Sequence, residues 1–98
     1  MTETTIIRST DENLLSSVTT VIQAGGLVAF PTDTVYGLGC DAFNAKAIRR
    51  LYEAKRRARE KAIPILLSTT ADLDKVALNV TQEILSIGKA FWPGPLTI

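Results

Sequence analysis

The segment Gly25-Gly26-Leu27-Val28-Ala29-Phe30-Pro31 constrains the fold more than any other stretch of this chain. Four apolar residues stand together without polar alternation, which suits a short strand covered on both faces rather than one half-exposed to water. Pro31 ends the strand, because proline brings no amide hydrogen to a ladder. The two glycines before it stop a helix, since glycine reaches the left-handed conformation of a helix C-terminus without steric penalty. That helix is written upstream as Leu14, Leu15, Val18, Val21 and Ile22, an apolar stripe at helical spacing. Ser9 and Glu12 have the spacing of a capping box at its start. Thr4 to Arg8 is a β-branched stretch suited to a further strand.

Beyond Pro31 the same alternation continues. Residues 32–43 lack helical periodicity and contain Gly37 and Gly39, which predicts a shaped loop with at most a short turn of helix. Asn44 is placed to cap a second helix running to about Arg57. Its apolar face is Ile48, Leu51 and Tyr52, with Lys55 on the same face. A lysine there must snorkel to solvent or meet an anion. Ile63 to Ser68 reads as a strand with Pro64 near its start. A third helix is predicted near Thr70, with Asp72 and Asp74 in the first turn, where negative charge favours the helix dipole. A fourth runs from Thr81 towards Phe91 with Ile84, Ile87 and Phe91 inward. Trp92-Pro93-Gly94-Pro95 breaks it as a rigid structural turn, and Leu96 to Ile98 begins a strand. Strands alternating with helices predict an α/β sheet with helices packed on it. Ninety-eight residues allow one domain with a modest core.

Composition narrows the chemistry. The chain has no histidine and a single cysteine, Cys40, which disfavours zinc ligation, Ser-His-Asp catalysis and an internal disulfide framework. Without a histidine to activate it, Cys40 is expected to be a small buried hydrophobe. Scattered single acids have no metal-site spacing. Met1 to Arg8 does not have the pattern of a signal peptide, and no run is long enough to span a membrane, so a cytoplasmic setting is expected. The net charge of +1 hides an asymmetry: residues 49–61 carry seven cations against Glu53 and Glu60, whereas the remainder is net acidic. An anion is the natural partner of that segment.

Two constellations can carry function. The first is Pro31-Thr32-Asp33-Thr34-Val35-Tyr36-Gly37-Leu38-Gly39, a hydroxyl-bearing loop that leaves the carboxyl end of the central strand, where ligand crevices form in open α/β sheets. Its plainer reading is a turn whose threonine and aspartate side chains bond their own backbone. It matches neither the Walker loop nor the G-x-G-x-x-G fingerprint, so any phosphate grip must come from side-chain cations. The second is Lys55-Arg56-Arg57-Ala58-Arg59-Glu60-Lys61, five cations in seven residues. Arginine forks and the compact lysine charge suit phosphate oxygens. Cations at a helix C-terminus also stabilise the dipole with no ligand at all.

Together, Val28 to Ala42, the Lys55-Arg56-Arg57 triplet fitting a K-x-R pattern, and Phe91-Trp92-Pro93-Gly94-Pro95-Leu96-Thr97 resemble the YrdC-like family of threonylcarbamoyl-AMP synthases. The resemblance implies a twisted open mixed sheet with flanking helices, of which residues 1–98 are expected to be the N-terminal part and therefore incomplete. It implies a nucleotidyltransferase joining ATP, L-threonine and bicarbonate into threonylcarbamoyl-AMP and pyrophosphate, for tRNA threonylcarbamoyladenosine modification with downstream tRNA-modifying proteins. By the same resemblance Thr34 contacts substrate threonine, with Thr32 and Tyr36 shaping its pocket. Lys55 and Arg57 hold the ATP phosphates and the carboxylated intermediate, and Lys61 is a further ATP contact. Magnesium is expected to arrive on the nucleotide, without a protein-built metal site. The family's later serine- and asparagine-bearing motif is expected beyond Ile98, so the chain alone is expected not to complete the nucleotide site. Two alternatives stand beside this reading: a double-stranded RNA or tRNA-binding module using residues 49–61, and the YrdC-like carbamoyl-adenylate domain of a hydrogenase-maturation carbamoyltransferase.

Overall fold

A computed structural model describes residues 3–58 and 60–98. The chain divides into two compact units, one reaching Lys61 and the other running from Ala62 to Ile98. Met1 and Thr2, from the N-terminal stretch, and Arg59, from the basic cluster, lie outside the described residues.

In the first unit, helix α1 spans Leu14–Gln23. Leu14, Val18 and Ile22 are its half-buried stripe, four residues apart, while Leu15 is 80% exposed. The inward face is thus narrower than the five-residue pattern predicts. The expected capping box does not form. The helix begins after Asn13, and the nearby cap-like bond is local: the Asp11 carboxylate accepts the Asn13 amide hydrogen at 2.8 Å. At the other end Gly25 takes φ +83°, its N–H donating to the Ile22 carbonyl while the Gly26 N–H reaches the Val21 carbonyl. This pair of bonds is a Schellman closure, and the expected glycine stop holds.

Strand β1 follows at Val28–Phe30 and ends before Pro31, as expected. Its partner is strand β2, Gly37–Gly39, in antiparallel register with Val28 opposite Gly39, Ala29 opposite Leu38 and Phe30 opposite Gly37. The sequence predicts a shaped loop over residues 32–43, so this second strand corrects that expectation. Two features explain the difference. Glycine is depleted in strands, so G-L-G carries no strand signal. The Phe30 ring, however, lies across the β2 backbone so closely that a Cβ at Gly37 would sit 2.8 Å from it, and one at Gly39 would sit 3.1 Å from it. Alternate positions of a strand share a face, so the two glycines together make the bed for that ring. Ala29 is exposed, which corrects the expectation of a strand covered on both faces.

Helix α2 spans Ala45–Lys55 and is capped as expected: the Asn44 side-chain oxygen accepts the Ala47 amide hydrogen at 3.0 Å. Its most buried residues are Ala47 (0% exposed) and Leu51 (4%), with Ile48 and Tyr52 half-buried. Arg50 reaches from this helix to the end of α1, donating through Nη1 to the Gly25 carbonyl at 3.3 Å.

The regular elements of the second unit are all helical. A 3-10 turn at Thr70–Asp72 leads into helix α3, Leu73–Val76, and helix α4 spans Gln82–Phe91. Ser68 and Thr69 hydroxyls both donate to Asp72 Oδ2, at 2.9 and 3.2 Å, and Lys75 Nζ meets Asp72 Oδ1 at 2.9 Å. The Lys75 bond, followed by that of Ser68, lowers the Asp72 pKa below its ordinary 3.8. Thr81 caps α4 by accepting the Ile84 amide hydrogen. The inward face of α4 runs through Ile84 and the buried Gly88, against which the Trp92 ring packs, whereas Phe91 is 62% exposed and Ile87 also faces solvent. The Trp92 indole N–H donates to the Leu96 carbonyl at 2.8 Å, closing the turn that contains the cis Trp92-Pro93 peptide. Among the described residues, Thr4–Arg8, Ile63–Ser68 and Leu96–Ile98 join no ladder, so these three strand expectations are corrected. A β-branched or apolar run becomes a strand only when a neighbour accepts its amide hydrogens, and β1 and β2 pair only with each other here.

Candidate functional site in the first unit

The loop between β1 and β2 presents its threonines in a defined arrangement. The Thr32 hydroxyl donates to the Val35 carbonyl and accepts the Thr34 amide hydrogen at 3.2 Å. A hydroxyl has one hydrogen to give, and Thr32 has spent its own. In the 3.4 Å contact between the two hydroxyls, Thr34 is therefore the donor. The Thr34 oxygen keeps its lone pairs at an exposed position, ready to accept from a bound donor such as an ammonium group. Thr32 acts as the hub of the turn, in keeping with the plain backbone-bonding reading of this loop, and the Thr34 side chain stands exposed beside it. Tyr36 leads into β2 and is 75% exposed.

The cationic segment begins where α2 stops. Arg56 adopts the left-handed conformation, φ 51° and ψ 40°, with its N–H on the Glu53 carbonyl, while the Arg57 N–H reaches the Tyr52 carbonyl. This repeats the closure seen at Gly25, with an arginine at the position glycine prefers. A left-handed residue with a side chain costs about 1–2 kcal/mol. The helix therefore ends at Lys55 rather than at about Arg57. The returning chain makes a turn in which the Lys61 N–H meets the Ala58 carbonyl at 3.0 Å. The Tyr52 hydroxyl then donates to the Lys61 carbonyl at 2.7 Å. The result is an open cavity of about 380 Å³ lined by Lys55, Arg56, Arg57, Ala58 and Lys61. Lys55, although on the apolar face of α2 by periodicity, is solvent-exposed at its end.

Thus Lys55, Arg57 and Lys61 share one cavity, and Thr32 and Thr34 share one turn. The sequence alone marks Arg56 only as one of five cations and Tyr52 only as part of an apolar face, not as the residues that close the helix and hold Lys61. The signals were present: Arg56 follows the last turn of the helix, and Tyr52 sits nine residues before the lysine it holds. Cys40 is half-buried, short of the full burial expected. Burial, and then the neighbouring Asp41 charge, raise its thiol pKa, which keeps it protonated and a poor nucleophile. Among the described residues no group of three or more His, Cys, Asp or Glu is arranged to hold a metal ion, and no helix is long and apolar enough to cross a membrane.

A hairpin with a hydroxyl turn, followed by a capped helix ending in a cation-lined cavity, places the chain with known proteins. The Sua5/YciO/YrdC family, described as telomere recombination, matches residues 20–98, and the chain belongs to this family. Curated relatives carry the name threonylcarbamoyl-AMP synthase. The Pyrococcus abyssi protein is 43% identical over 77 residues, covering 79% of this chain and 23% of that relative. The Bacillus subtilis protein is 32% identical over 90 residues, covering 92% of this chain and 26% of that relative. Among solved structures, P. abyssi Sua5 complexed with L-threonine matches at 38% identity with a TM-score of 0.80, over 87% of this chain and 25% of that one. A doubly substituted form of P. abyssi Sua5 matches with a TM-score of 0.81. The fold is accordingly part of an α/β YrdC fold, and the chain spans about a quarter of the length of these relatives.

Proposed function

We propose that this chain carries the threonine-binding and phosphate-binding elements of a threonylcarbamoyl-AMP synthase, which joins ATP, L-threonine and bicarbonate for tRNA modification. The observation that carries the reading is the shared cavity of Lys55, Arg57 and Lys61 in a chain whose relatives bear that name. The threonine complex of P. abyssi Sua5 supports the amino-acid half of the reading.

The chemistry asks little of a protein nucleophile. The threonine amine attacks the bicarbonate carbon, water leaves, and a carbamate forms. A carbamate oxygen then attacks the α-phosphorus of ATP, and the bond to the β-phosphate oxygen breaks to release pyrophosphate. Each partner is an anion, so the barrier is dominated by bringing like charges together and orienting them. Lys55 and Arg57 would offset the charge of the phosphates and the carbamate, Lys61 would extend the grip along the triphosphate, and Thr34 would accept from an N–H of the threonine amine, whose extra proton has been lost to solvent, while Thr32 and Tyr36 hold the loop around it. Magnesium would come with ATP, held by phosphate oxygens and water.

Titration calorimetry with ATP and with L-threonine tests the reading. L-threonine should bind the chain, and ATP should bind it through its phosphates alone, since the remainder of the nucleotide site is expected from the family motif beyond Ile98. Lys55→Ala and Arg57→Ala should each weaken ATP about tenfold or more, the worth of a hydrogen bond to a charged group. Thr34→Val should weaken threonine and leave ATP nearly unchanged. Absence of ATP binding, or indifference of ATP to both cation substitutions, would remove the cavity from the proposal.

A further inference from the structure

We propose that Arg56 is a positioning residue: its left-handed backbone, rather than its guanidinium, assembles the phosphate-binding cations. The proposal rests on reading the cavity as the polyphosphate site. In a continued α-helix, Lys55 and Arg57 would project about 200° apart, on opposite faces, and no single ligand could meet both. They nevertheless line one cavity with Lys61. What lies between them is one residue at φ 51° and ψ 40°, which closes α2 and turns the chain back. The end of α1 makes the same two closing hydrogen bonds with a glycine, at φ +83°, so the closure itself does not call for an arginine. Strained conformations of this kind persist where the surrounding structure uses them. Here the use is visible, since the reversal converts two opposed cations into a pair and delivers the chain to the Tyr52 hydroxyl that holds Lys61.

The test separates backbone from side chain in this 98-residue chain. Arg56→Asn and Arg56→Gly both accept the left-handed region and remove the charge, whereas β-branched Arg56→Val removes the charge and resists that region. Affinity for inorganic tripolyphosphate and for ATP is measured for each, below its own melting temperature. The expected result is that the Asn and Gly variants lose only the contribution of one charge at the cavity, equally and by no more than about fivefold, while the Val variant loses about tenfold more than either. Equal losses in all three would overturn the proposal in favour of a direct guanidinium contact, and native-like binding by the Val variant would overturn it outright. If the Val variant does not fold, Arg56→Ala replaces it, and amide exchange at Arg57 reports whether its bond to Tyr52 survives. Binding of tripolyphosphate but not ATP by the native chain would refute the nucleotide reading alone, with the variant series still decisive. Binding of neither would sink both.

Discussion

Phe30 shows how one side chain shapes the hairpin. Its ring occupies the space that Cβ atoms at Gly37 and Gly39 would need, so glycine at these positions is a packing requirement as well as a backbone one. Gly37→Ala forces the ring or the β2 backbone aside and should cost about 1–3 kcal/mol, as overpacking does. Chemical denaturation of the purified protein measures it, and Phe30→Leu in the same background should return part of the loss by vacating the ring's space. Asn44 is a second residue with a separable role. Removing its cap on the Ala47 amide by Asn44→Ala should lower stability by about 1 kcal/mol. Thr32 and Thr34 show what residue types alone leave open. Two hydroxyls in a loop announce hydrogen bonding, but which one is spent on the turn follows from the Val35 carbonyl lying within reach of Thr32.

At the scale of elements, the two long helices of the first unit end by the same hydrogen-bond closure on different residues. Gly25 was legible as a stop because glycine advertises the left-handed region. Arg56 was not, because nothing in an arginine does. The Tyr52 hydroxyl belongs to this scale as well, as it ties the last full turn of α2 to the returning chain at Lys61. Tyr52→Phe should cost about 0.5–1.5 kcal/mol of stability, read by thermal unfolding, and should raise amide exchange between Ala58 and Lys61. In the second unit, the lowered pKa of Asp72 comes first from its bond to Lys75 and then from that to Ser68. The folded form thus binds the Asp72 proton less readily than the unfolded form. The resulting stabilisation is present above the ordinary value of 3.8 and is lost as pH falls through the lower folded value. The stability difference between the native chain and Asp72→Asn should therefore be largest near neutrality and shrink below pH 3.8. A difference that is constant with pH would mean that these bonds do not depend on the Asp72 charge.

Across the whole molecule, charge is the property with functional reach. A chain of net charge +1 places seven cations between residues 49 and 61. Of these, Lys55, Arg56, Arg57 and Lys61 converge on one shallow, open cavity. A concave cluster of this size suits a compact polyanion, whereas a duplex backbone requires charges spaced along a surface. Excess duplex RNA at physiological salt should accordingly leave ATP binding within about twofold, as read by competition calorimetry. Effective displacement, steeply relieved by salt, would favour the nucleic-acid reading.

The sequence by itself determined the order of helices, the Gly25 stop, the Asn44 cap, the end of β1 at Pro31, the basic segment and the family resemblance. All of these rest on local chemistry or on residues written contiguously. Only the tertiary structure decided that Gly37–Gly39 pairs as a strand, that three β-branched or apolar runs stay unpaired among the described residues, and that Lys55, Arg57 and Lys61 meet around one cavity. Strand pairing needs a partner whose identity is non-local, and the convergence of cations depends on one dihedral at Arg56 that no residue type announces.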